Sequence, residues 1–539
     1  MRHVARKKLV LTFLMLFPPW LLFPQDRIFV REHNIVYEEA RPSVLCPVLK
    51  GDLNNDGFLN GKDLILLKEK LGSVFDPRMD MNGDLRVDEK DINLLLPLIS
   101  PAEFSDDLLL CFRAVTMNGV EECSLYQNGN VYRNFLSREW NFVKTQAALN
   151  LLLRSLEENN LLAQTYSQTK AGADVYEISY KQGSQFVRLT FSPDGAPEGL
   201  LRCLESIKEH LSLRWRERKW PFHPEDVHPW IMHLSSSYQN YGDSPYFHHG
   251  VDFLVAEHTP FYLPFRGYVT NIRNYTPGID LYWEVEVTEL NGLRWQYHHA
   301  DKNSIPAAVY SAYNQGTLLE KGTNLGYTVT WPERDLYGNI DNHLHLNCLD
   351  GRGNYMNPLN FFIPLADHTP PEIMEVDFCQ NEQNIGYDDA IRAGKTDIIV
   401  RVRDLIEGSP YELPVFELGI EIARPGSQEI IVPYTPLYRF IDLPAGSDTG
   451  AYIYTIYKER LSLKNKTLST CGDYDCRKFY YVVTNNLTGT LGGEANFWET
   501  YSVPGGDYIL NIYAWDHSGN LSQRSFPVAV VKKNISGKH

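Results

Sequence analysis

The sequence lacks the features that several large protein classes require. Basic residues are in the minority, since 51 lysines and arginines face 67 aspartates and glutamates, leaving a formal net charge of -16 over 539 residues. Binding to a nucleic-acid backbone depends on basic residues that release counterions from phosphates, so we expect no nucleic-acid partner. No apolar run reaches the roughly 20 residues that a membrane-spanning helix needs, so we expect no lasting membrane span.

Cysteine is also scarce, with eight residues in the whole chain. This density excludes a small scaffold held together by disulfides, although an oxidising compartment would let some cysteines pair. The first expected disulfide joins Cys471 to Cys476. A second could join Cys111 to Cys123 across a hairpin. Buried free thiols are an equal alternative for the cysteines outside the first pair.

The N-terminus has the order of an export signal, with charge first and apolar residues after it. Four lysines and arginines lie among the first eight residues, and an apolar run extends from Leu9 to Phe23. This run has the length of a signal-peptide core, and Pro18 and Pro19 weaken it as a membrane helix. We therefore predict an export signal over residues 1–25. The protein is expected in the periplasm, at the cell surface or outside the cell.

Residues 44–100 contain two copies of a calcium-loop pattern. Oxygen side chains recur at loop positions 1, 3, 5, 9 and 12, and position 7 supplies a main-chain carbonyl. Gly57 provides the turn at position 6 of the first loop, whereas Leu85 stands there in the second. One or two structural Ca²⁺ ions are expected, with a solvated turn as the alternative. The predicted ligands are Asp52, Asn54, Asp56, Phe58, Asn60, Asp63, Asp80, Asn82, Asp84, Arg86, Asp88 and Asp91.

A short apolar helix is predicted after each of these loops, and the duplicated unit resembles a dockerin, which is an EF-hand pair. In dockerins this domain docks onto a cohesin, so the resemblance implies a cohesin-like partner. Loop positions 10 and 11 are Gly61-Lys62 in one copy and Glu89-Lys90 in the other, so the duplicated surface is not symmetric. A calcium-stapled spacer is the plainer alternative.

The chain is longer than one hydrophobic core usually allows, so we expect three to five domains, mainly β with α+β parts. Residues 101–220 alternate hairpins and helices and predict a small α+β domain of unknown role. Its strands include Leu108 to Thr116, and its helices run from about Phe142 to Glu158 and around Pro197 to Leu211. Residues 368–539 show regular short strands, which are typical of an immunoglobulin-like β-sandwich.

Residues 221–367 hold three histidine motifs in strand-like segments, H-x3-D, Y-x-H and H-x-H. A hydrolytic zinc ion needs three protein ligands and one open position, and His248, Asp252 and His345 supply that number. Side chains alternate along a strand, so His343 and His345 would project from the same face and reach one metal site.

His299 of the Y-x-H motif arrives from another strand. Strand alternation would aim its neighbour His298 toward the opposite face. A lone histidine is most often a surface or hydrogen-bonded residue, so we assign no role to His233, His249, His258 or His298.

The three motifs resemble those of the lysostaphin-type, LytM-like zinc metallopeptidases over roughly residues 235–365. Such enzymes cleave peptide cross-links of bacterial peptidoglycan, and the resemblance implies an antiparallel β-sheet metallopeptidase domain. It assigns one catalytic Zn²⁺ to the three ligands just named and a metal-free catalytic pair to His299 and His343. Residues 327–342 replace the family's glycine-rich approach to H-x-H and are expected to wall the substrate groove. No H-E-x-x-H helix is present, so no glutamate base is expected.

The leading functional prediction is a secreted zinc metalloendopeptidase that hydrolyses peptide cross-links of peptidoglycan. One alternative is a noncatalytic protein that keeps the fold and binds the cell wall or regulates its enzymes. Another is a calcium-dependent assembly component that docks to a cohesin.

Overall fold

The structure is a computed structural model of the chain. It describes residues 35–36, 108–135, 138–144, 146–222, 227–235, 237–241, 244–334, 338, 340–351, 353–380, 390–427, 429–441, 443, 455–458, 479–487 and 495–532. The predicted export signal, both calcium loops, and the cysteines Cys471 and Cys476 lie outside these residues. The described residues from 108 onward belong to one compact unit.

The first part of this unit is an antiparallel sheet with two helices. A two-residue strand, β1, spans Ile35–Val36. The sheet contains β2 (Leu108–Thr116), β3 (Gly119–Tyr126), β4 (Asn130–Phe135), β5 (Arg138–Lys144), β6 (Val175–Gln182) and β7 (Gln185–Phe191). These six strands lie in the order β5-β4-β3-β2-β6-β7. Burial alternates along β2, as expected for a strand with one face on a core. Helices α1 (Gln146–Glu158) and α2 (Glu198–Leu211) contact each other.

The second part carries the histidine motifs on a larger antiparallel sheet. Its strands are β8 (Val227–His233), β9 (Tyr238–Tyr241), β10 (Ser244–Phe247), β11 (Val251–Val255), β12 (Pro260–Tyr262), β13 (Gly267–Asn274), β14 (Trp283–Glu289), β15 (Arg294–His298), β16 (Leu318–Leu319), β17 (Asn324–Tyr327), β18 (His343–Leu349) and β19 (Tyr355–Met356). The main sheet has the order β16-β13-β14-β15-β18-β11-β8, with β19 paired to β18. Strands β9 and β10 form a separate pair, as do β12 and β17. Helix α3 (Ala307–Gln315) contacts β13.

The C-terminal part consists of two five-stranded sheets. Its strands are β20 (Glu372–Gln380), β21 (Ile391–Arg392), β22 (Lys395–Arg403), β23 (Glu417–Ala423), β24 (Ile430–Arg439), β25 (Tyr457–Lys458), β26 (Tyr480–Val482), β27 (Trp498–Glu499), β28 (Gly506–Trp515) and β29 (Leu521–Val531). One sheet has the order β20-β22-β26-β25, with β27 beside β22, and the other has the order β21-β29-β28-β23-β24. Apolar residues from both sheets, such as Val400 and Ile512, lie in one core.

The three parts share hydrophobic cores. One core joins Trp295 of β15 to Trp215, which follows α2, and to Ile441 of the C-terminal part. Another core joins Phe247, the last residue of β10, to Ile398 of β22. The chain just before the first histidine motif is therefore anchored in the C-terminal part.

The predicted mainly β, multidomain class is confirmed by the antiparallel sheets that make up most of the regular secondary structure of the described residues. The immunoglobulin-like topology and the domain boundaries stay predictions. The helix expected from about Phe142 begins at Gln146, because Phe142 pairs with Val131 and continues β5. Within the described part of the chain, we find no helix with the length and apolar character that a membrane crossing requires.

Cys111 and Cys123 do not form the hairpin disulfide that their spacing allowed. The register pairs Cys111 with Ser124 and Phe112 with Cys123, so the two thiols project from opposite faces of the sheet. The Cys123 thiol lies 3.6 Å from the carbonyl oxygen of Leu211. Thiols outside any disulfide, the alternative considered for these cysteines, are what the structure shows at both positions.

Candidate metal centre

A row of polar side chains crosses the main sheet of the second part. The strand register places Asp252 of β11 opposite His345 of β18, and His345 opposite His298 of β15. Asp252 also lies opposite His233 of β8. Directly opposed residues of antiparallel strands project from one face, so these four side chains share it. His343, two residues before His345, projects from the same face.

The three predicted zinc ligands converge on this row. One ligand atom from each of His248, Asp252 and His345 lies within 4.8 Å of the other two. The Asp252 carboxylate lies between the imidazoles, with Oδ2 at 3.1 Å from His248 Nε2 and Oδ1 at 2.8 Å from His345 Nδ1. The side chains of His248 and Asp252 are 5% exposed and that of His345 is 14% exposed. Two imidazoles and one carboxylate, shielded from water, are a donor set that Zn²⁺ accepts.

The proton positions at this cluster fit a cation. His248 Nδ1 lies 3.2 Å from the carbonyl oxygen of Leu234. A carbonyl can only accept, so Nδ1 carries a proton and Nε2 is the nitrogen of His248 left to bind a metal. Nε2 faces the carboxylate of Asp252, which is an acceptor. Close approach of these two atoms needs a proton or a cation between them, and a metal ion takes the place of that proton in such a ligand set.

The buried cluster lowers the pKa values of both Asp252 and His345. Burial acts to raise the pKa of Asp252, but His248, His343 and the hydrogen bond from His345 together hold it well below its usual range. Burial lowers the pKa of His345 to about 4, although Asp252 opposes part of this shift. At neutral pH the cluster therefore offers a carboxylate and a neutral imidazole, the protonation states that bind a metal.

The two predicted catalytic histidines lie beside the cluster. The ring of His299 is 4.6 Å from that of His343 and 6.1 Å from that of His345. Nδ1 of His299 donates to the carbonyl oxygen of Leu281 at 2.9 Å, and Nδ1 of His343 donates to that of Asp341 at 2.6 Å. Both residues therefore keep a lone pair on Nε2 when they are neutral. Burial lowers the pKa of His299 well below its usual value, so this imidazole is neutral at pH 7.

The expectation that strand alternation aims His298 away from this site is wrong. Its ring lies 5.0 Å from that of His345, and its Nε2 accepts from Asn347 Nδ2 at 3.0 Å. His298 is the last residue of β15 and follows the register of the row, whereas His299 has a left-handed backbone with φ of 64°. This conformation breaks the alternation, so two consecutive histidines approach the same site.

The other histidines that were given no role lie at different distances from the cluster. The ring of His233 is 5.3 Å from that of His248, so His233 lies beside the candidate ligands. His249 stacks on Tyr355 at 4.0 Å, and the side chain of His258 is 59% exposed. Only the pairing of β8 with β11 brings His233 to the row, and no motif in the sequence marks that pairing.

The glycine of the first motif is required by close packing. A Cβ atom on Gly250 would lie 2.2 Å from the carbonyl oxygen of Leu346 and 2.4 Å from Asn347 Oδ1. Only glycine lets the loop that carries His248 come this close to β18, which carries His345.

Aromatic residues flank the histidine pair. Trp331, from the stretch predicted to wall the groove, lies 4.7 Å from the ring of His299 and 5.0 Å from that of His343. Tyr282 lies 5.9 Å from Trp331 and 5.8 Å from His299. Trp331 therefore lies against both histidines of the pair.

Comparison with sequence families identifies one segment outside the described residues. Residues 50–98 match the family described as the dockerin type I domain. The dockerin resemblance is confirmed. The twelve calcium-ligand residues predicted within this domain lie outside the described structure and stay predictions. No curated protein matches the chain.

Three solved structures are similar to part of this chain, and two of them are named as peptidases. A candidate peptidase M23 from Pseudomonas aeruginosa is 17% identical, with 47% of this chain and 87% of that chain covered and a TM-score of 0.18. Csd3 from Helicobacter pylori is 13% identical over 47% and 75% of the two chains, with a TM-score of 0.20. A zinc-containing peptidase from Vibrio cholerae is 12% identical over 46% and 83%, with a TM-score of 0.21. TM-scores this low assign no function to this chain.

Proposed function

We propose that this protein is an exported zinc metalloendopeptidase that hydrolyses peptide cross-links of bacterial peptidoglycan. The observation that carries the proposal is the convergence of His248, Asp252 and His345 within 4.8 Å, beside the paired rings of His299 and His343. These five residues come from motifs spread over about a hundred positions, and a purely structural role gives no reason for two imidazole pairs to meet there.

The donor set selects the metal and its role. A Zn²⁺ ion bound by His248, Asp252 and His345 would supply Lewis acidity toward the scissile carbonyl and a lowered pKa for water. The sequence resemblance supports a peptide of the bacterial cell wall as substrate, and the predicted export signal agrees with a target outside the cytoplasm.

The neighbouring histidines supply the proton transfers. His299 and His343 each donate a hydrogen bond from Nδ1 to a backbone carbonyl. The Nε2 atom of each ring is therefore free to accept the proton of the attacking water. The same Nε2–H can then donate to the leaving amine as the peptide bond breaks. Hydrolysis thus consumes one water and yields one carboxylate and one amine, and the histidines return to the neutral state.

Digestion of purified peptidoglycan sacculi tests this proposal. We expect the protein to release cross-link peptides detectable by mass spectrometry, and chelation of the metal to stop the release. His345→Ala should abolish release together with zinc binding. His299→Ala should abolish release but keep zinc, because His299 is not among the three candidate ligands.

An exposed histidine provides the matched control. His258 has a left-handed backbone with φ of 57°, which asparagine adopts readily, so His258→Asn should keep full activity. Absence of released peptides from a protein that carries zinc would contradict the peptidase proposal and favour the noncatalytic wall-binding alternative.

The dockerin match supports a second function, calcium-dependent docking to a cohesin-like protein. In this proposal Ca²⁺ bound by the two loops holds the docking surface, and the peptidase is delivered to an assembly. A pull-down of the full chain with cohesins should succeed in Ca²⁺ and fail in EGTA. Asp52→Ala combined with Asp80→Ala should also abolish capture, and capture that ignores calcium would contradict this function.

A further inference from the structure

A second cluster of acidic side chains lies where the second part of the unit meets the C-terminal part. Asp367 precedes β20, Asp404 follows β22, and Asp516 begins the turn between β28 and β29. One carboxylate oxygen from each lies within 4.8 Å of the other two. Their exposed fractions are 4%, 3% and 1%, so three carboxylates occupy one buried place.

The surrounding backbone orders two of these carboxylates. Asp516 Oδ1 accepts from the backbone nitrogens of Gly519 and Asn520 at 2.7 and 2.9 Å, and its Oδ2 accepts from Asn520 Nδ2 at 2.7 Å. Asp367 Oδ1 accepts from the backbone nitrogen of Thr369 at 3.0 Å. Asn520 Nδ2 also donates to the backbone carbonyl of Asp367 at 3.0 Å, which ties the two segments together.

Asp404 has an oxygen that these contacts leave unsatisfied. Among the described residues, its buried Oδ1 has no hydrogen-bond partner. Burial and the charges of Asp516 and Asp367 raise the pKa of Asp404 well above its usual value. A buried acceptor without a partner costs free energy, and an unpaired buried charge costs more. A cation beside Asp404 would remove both costs.

Basic side chains of the described residues do not supply that group. No lysine, arginine or histidine of the described chain lies within 4.0 Å of the three carboxylates as an ion pair. Burial lowers the pKa of Arg216, and the charge of Asp516 opposes this shift. The Nη2 atom of Arg216, however, donates to the backbone carbonyl of His517 at 3.1 Å. Among the residues that the structure describes, the three carboxylates therefore meet without a direct ion pair.

We propose that Asp367, Asp404 and Asp516 bind a divalent cation, Ca²⁺, which joins the end of the second part to the C-terminal part. The donors are all oxygens, and neither imidazole nor thiolate completes the set, which favours a hard cation over zinc. Irregular placement of the donors on three separate segments suits the flexible coordination of Ca²⁺ better than the strict octahedron of Mg²⁺. This site is separate from the dockerin loops and does not depend on the peptidase proposal.

The experiment measures bound calcium and thermal stability in the full-length chain. Asp52→Ala, Asp63→Ala, Asp80→Ala and Asp91→Ala are introduced together as a background that disables the dockerin loops. Equilibrium dialysis should find one Ca²⁺ per background chain. Relative to its value in EGTA, the midpoint of thermal unfolding should rise by about 3 °C when the Ca²⁺ concentration is about a hundred times the dissociation constant.

A pair of isosteric variants assigns this calcium to the cluster. Asp404→Asn in the background should lose the bound Ca²⁺ and the calcium-dependent rise. In EGTA it should unfold at the same temperature or higher, because a buried carboxyl group whose ionisation Asp367 and Asp516 oppose is gone. Asp507→Asn removes an exposed carboxylate of the same part and should keep both the ion and the rise.

Equal calcium content in Asp404→Asn and Asp507→Asn would overturn the site, since the ion would then lie elsewhere. A background protein with no bound Ca²⁺ and no rise would overturn it too, because the three carboxyl groups would then be held by shared protons. This second outcome is decisive even if Asp404→Asn fails to fold.

Discussion

Gly250 is the residue at which the first histidine motif comes closest to β18. Because the atom that a Cβ would meet at 2.2 Å belongs to the backbone of Leu346, the strand itself must shift in Gly250→Ala. We expect the free energy of unfolding to fall by about 1–3 kcal/mol, the usual cost of overpacking. The shift should also separate His248 from His345 and weaken zinc binding. Urea unfolding and a competitive zinc titration measure the two effects.

Gly394→Ala is the matched control for this substitution. A Cβ at Gly394 would meet nothing closer than the carbonyl oxygen of Arg392 at 3.8 Å, which is an ordinary contact. Its free energy of unfolding should stay within about 0.5 kcal/mol of the parent, as for most surface changes. If the two alanine variants lost the same stability, close packing at Gly250 would not be the cause.

Lys144 gives the protein a distinct pH dependence. Its Nζ donates to the carbonyl oxygen of Leu290 inside the protein, and burial lowers its pKa to about 7. A lysine in the unfolded chain titrates near 10.4, so between these values the unfolded state binds a proton that the native state lacks. This residue should make stability rise with pH by about 1.4 kcal/mol per unit across that window, and add no slope below pH 7.

Lys144→Met should remove this part of the slope. Urea unfolding at pH 7, 8 and 9 compares the variant with its parent, and other titrating groups cancel in the difference. Lys170→Met changes a lysine that is 67% exposed and should leave the slope in this window as it is. A slope that survives in Lys144→Met would show that this amine is not the group that loses its proton on folding.

At the scale of single residues, the motifs predicted which side chains meet but not everything that surrounds them. His248, Asp252 and His345 could be named because their spacing follows the chemistry of a metal ligand set. His298 was predicted on the wrong face, because the alternation assumed between His298 and His299 is broken by the left-handed φ of His299. His233 reaches the row through strand pairing, which a sequence does not display.

A buried ion pair joins two elements of the second part. Arg218 lies in the segment after α2, and its Nη2 donates to both carboxylate oxygens of Glu289 at the end of β14, each at 2.7 Å. Both side chains are 3% exposed, and Trp295 Nε1 donates to the same carboxylate at 3.1 Å. Glu289→Gln leaves the guanidinium charge buried without its partner, so we expect a loss of about 3–5 kcal/mol in urea unfolding.

An exposed pair shows whether burial sets this cost. Asp194→Asn breaks the pair of Lys170 and Asp194, whose side chains are 67% and 68% exposed, and should leave the free energy of unfolding unchanged. A Glu289→Gln variant as stable as its parent would mean that Arg218 finds another acceptor in the native state.

At the scale of elements, the sequence was most informative where local signals agree. The strand predicted from Leu108 to Thr116 has the observed bounds, because apolar residues alternate along it. Helix α2 begins directly after Pro197, a residue that suits a helix start. The start of α1 was wrong by four residues, because the apolar Phe142 fits the end of a strand as well as the start of a helix.

At the scale of the whole molecule, the described residues from 108 onward share hydrophobic cores that cross the expected domain boundaries, and those boundaries stay predictions. Phe247 lies among residues of the C-terminal sheets, with its ring 6.1 Å from that of Tyr457. Asp404 and Asp516 likewise approach Asp367 only in the folded chain. The contacts of Phe247 with Tyr457 and of Asp367 with Asp516 join segments more than a hundred residues apart, and no local pattern encodes them.

Phe247 therefore links the C-terminal part to the candidate metal centre, because it is followed directly by His248. Phe247→Ala should cost about 3–5 kcal/mol of unfolding free energy, as for other buried phenylalanines, and should loosen the chain that positions the His248 imidazole. We expect a weaker affinity for Zn²⁺ in a competitive titration with a chromophoric chelator, at a temperature where the variant is fully folded.

Phe440→Ala separates this link from a general loss of stability. Phe440 is 4% exposed and lies in the same core, but it does not adjoin a metal ligand. Both variants should unfold at similarly lowered urea concentrations, and only Phe247→Ala should bind Zn²⁺ more weakly. Equal zinc affinities in the two variants would mean that the sheet alone positions His248, since the row of β11, β15 and β18 would then need no support from the C-terminal core.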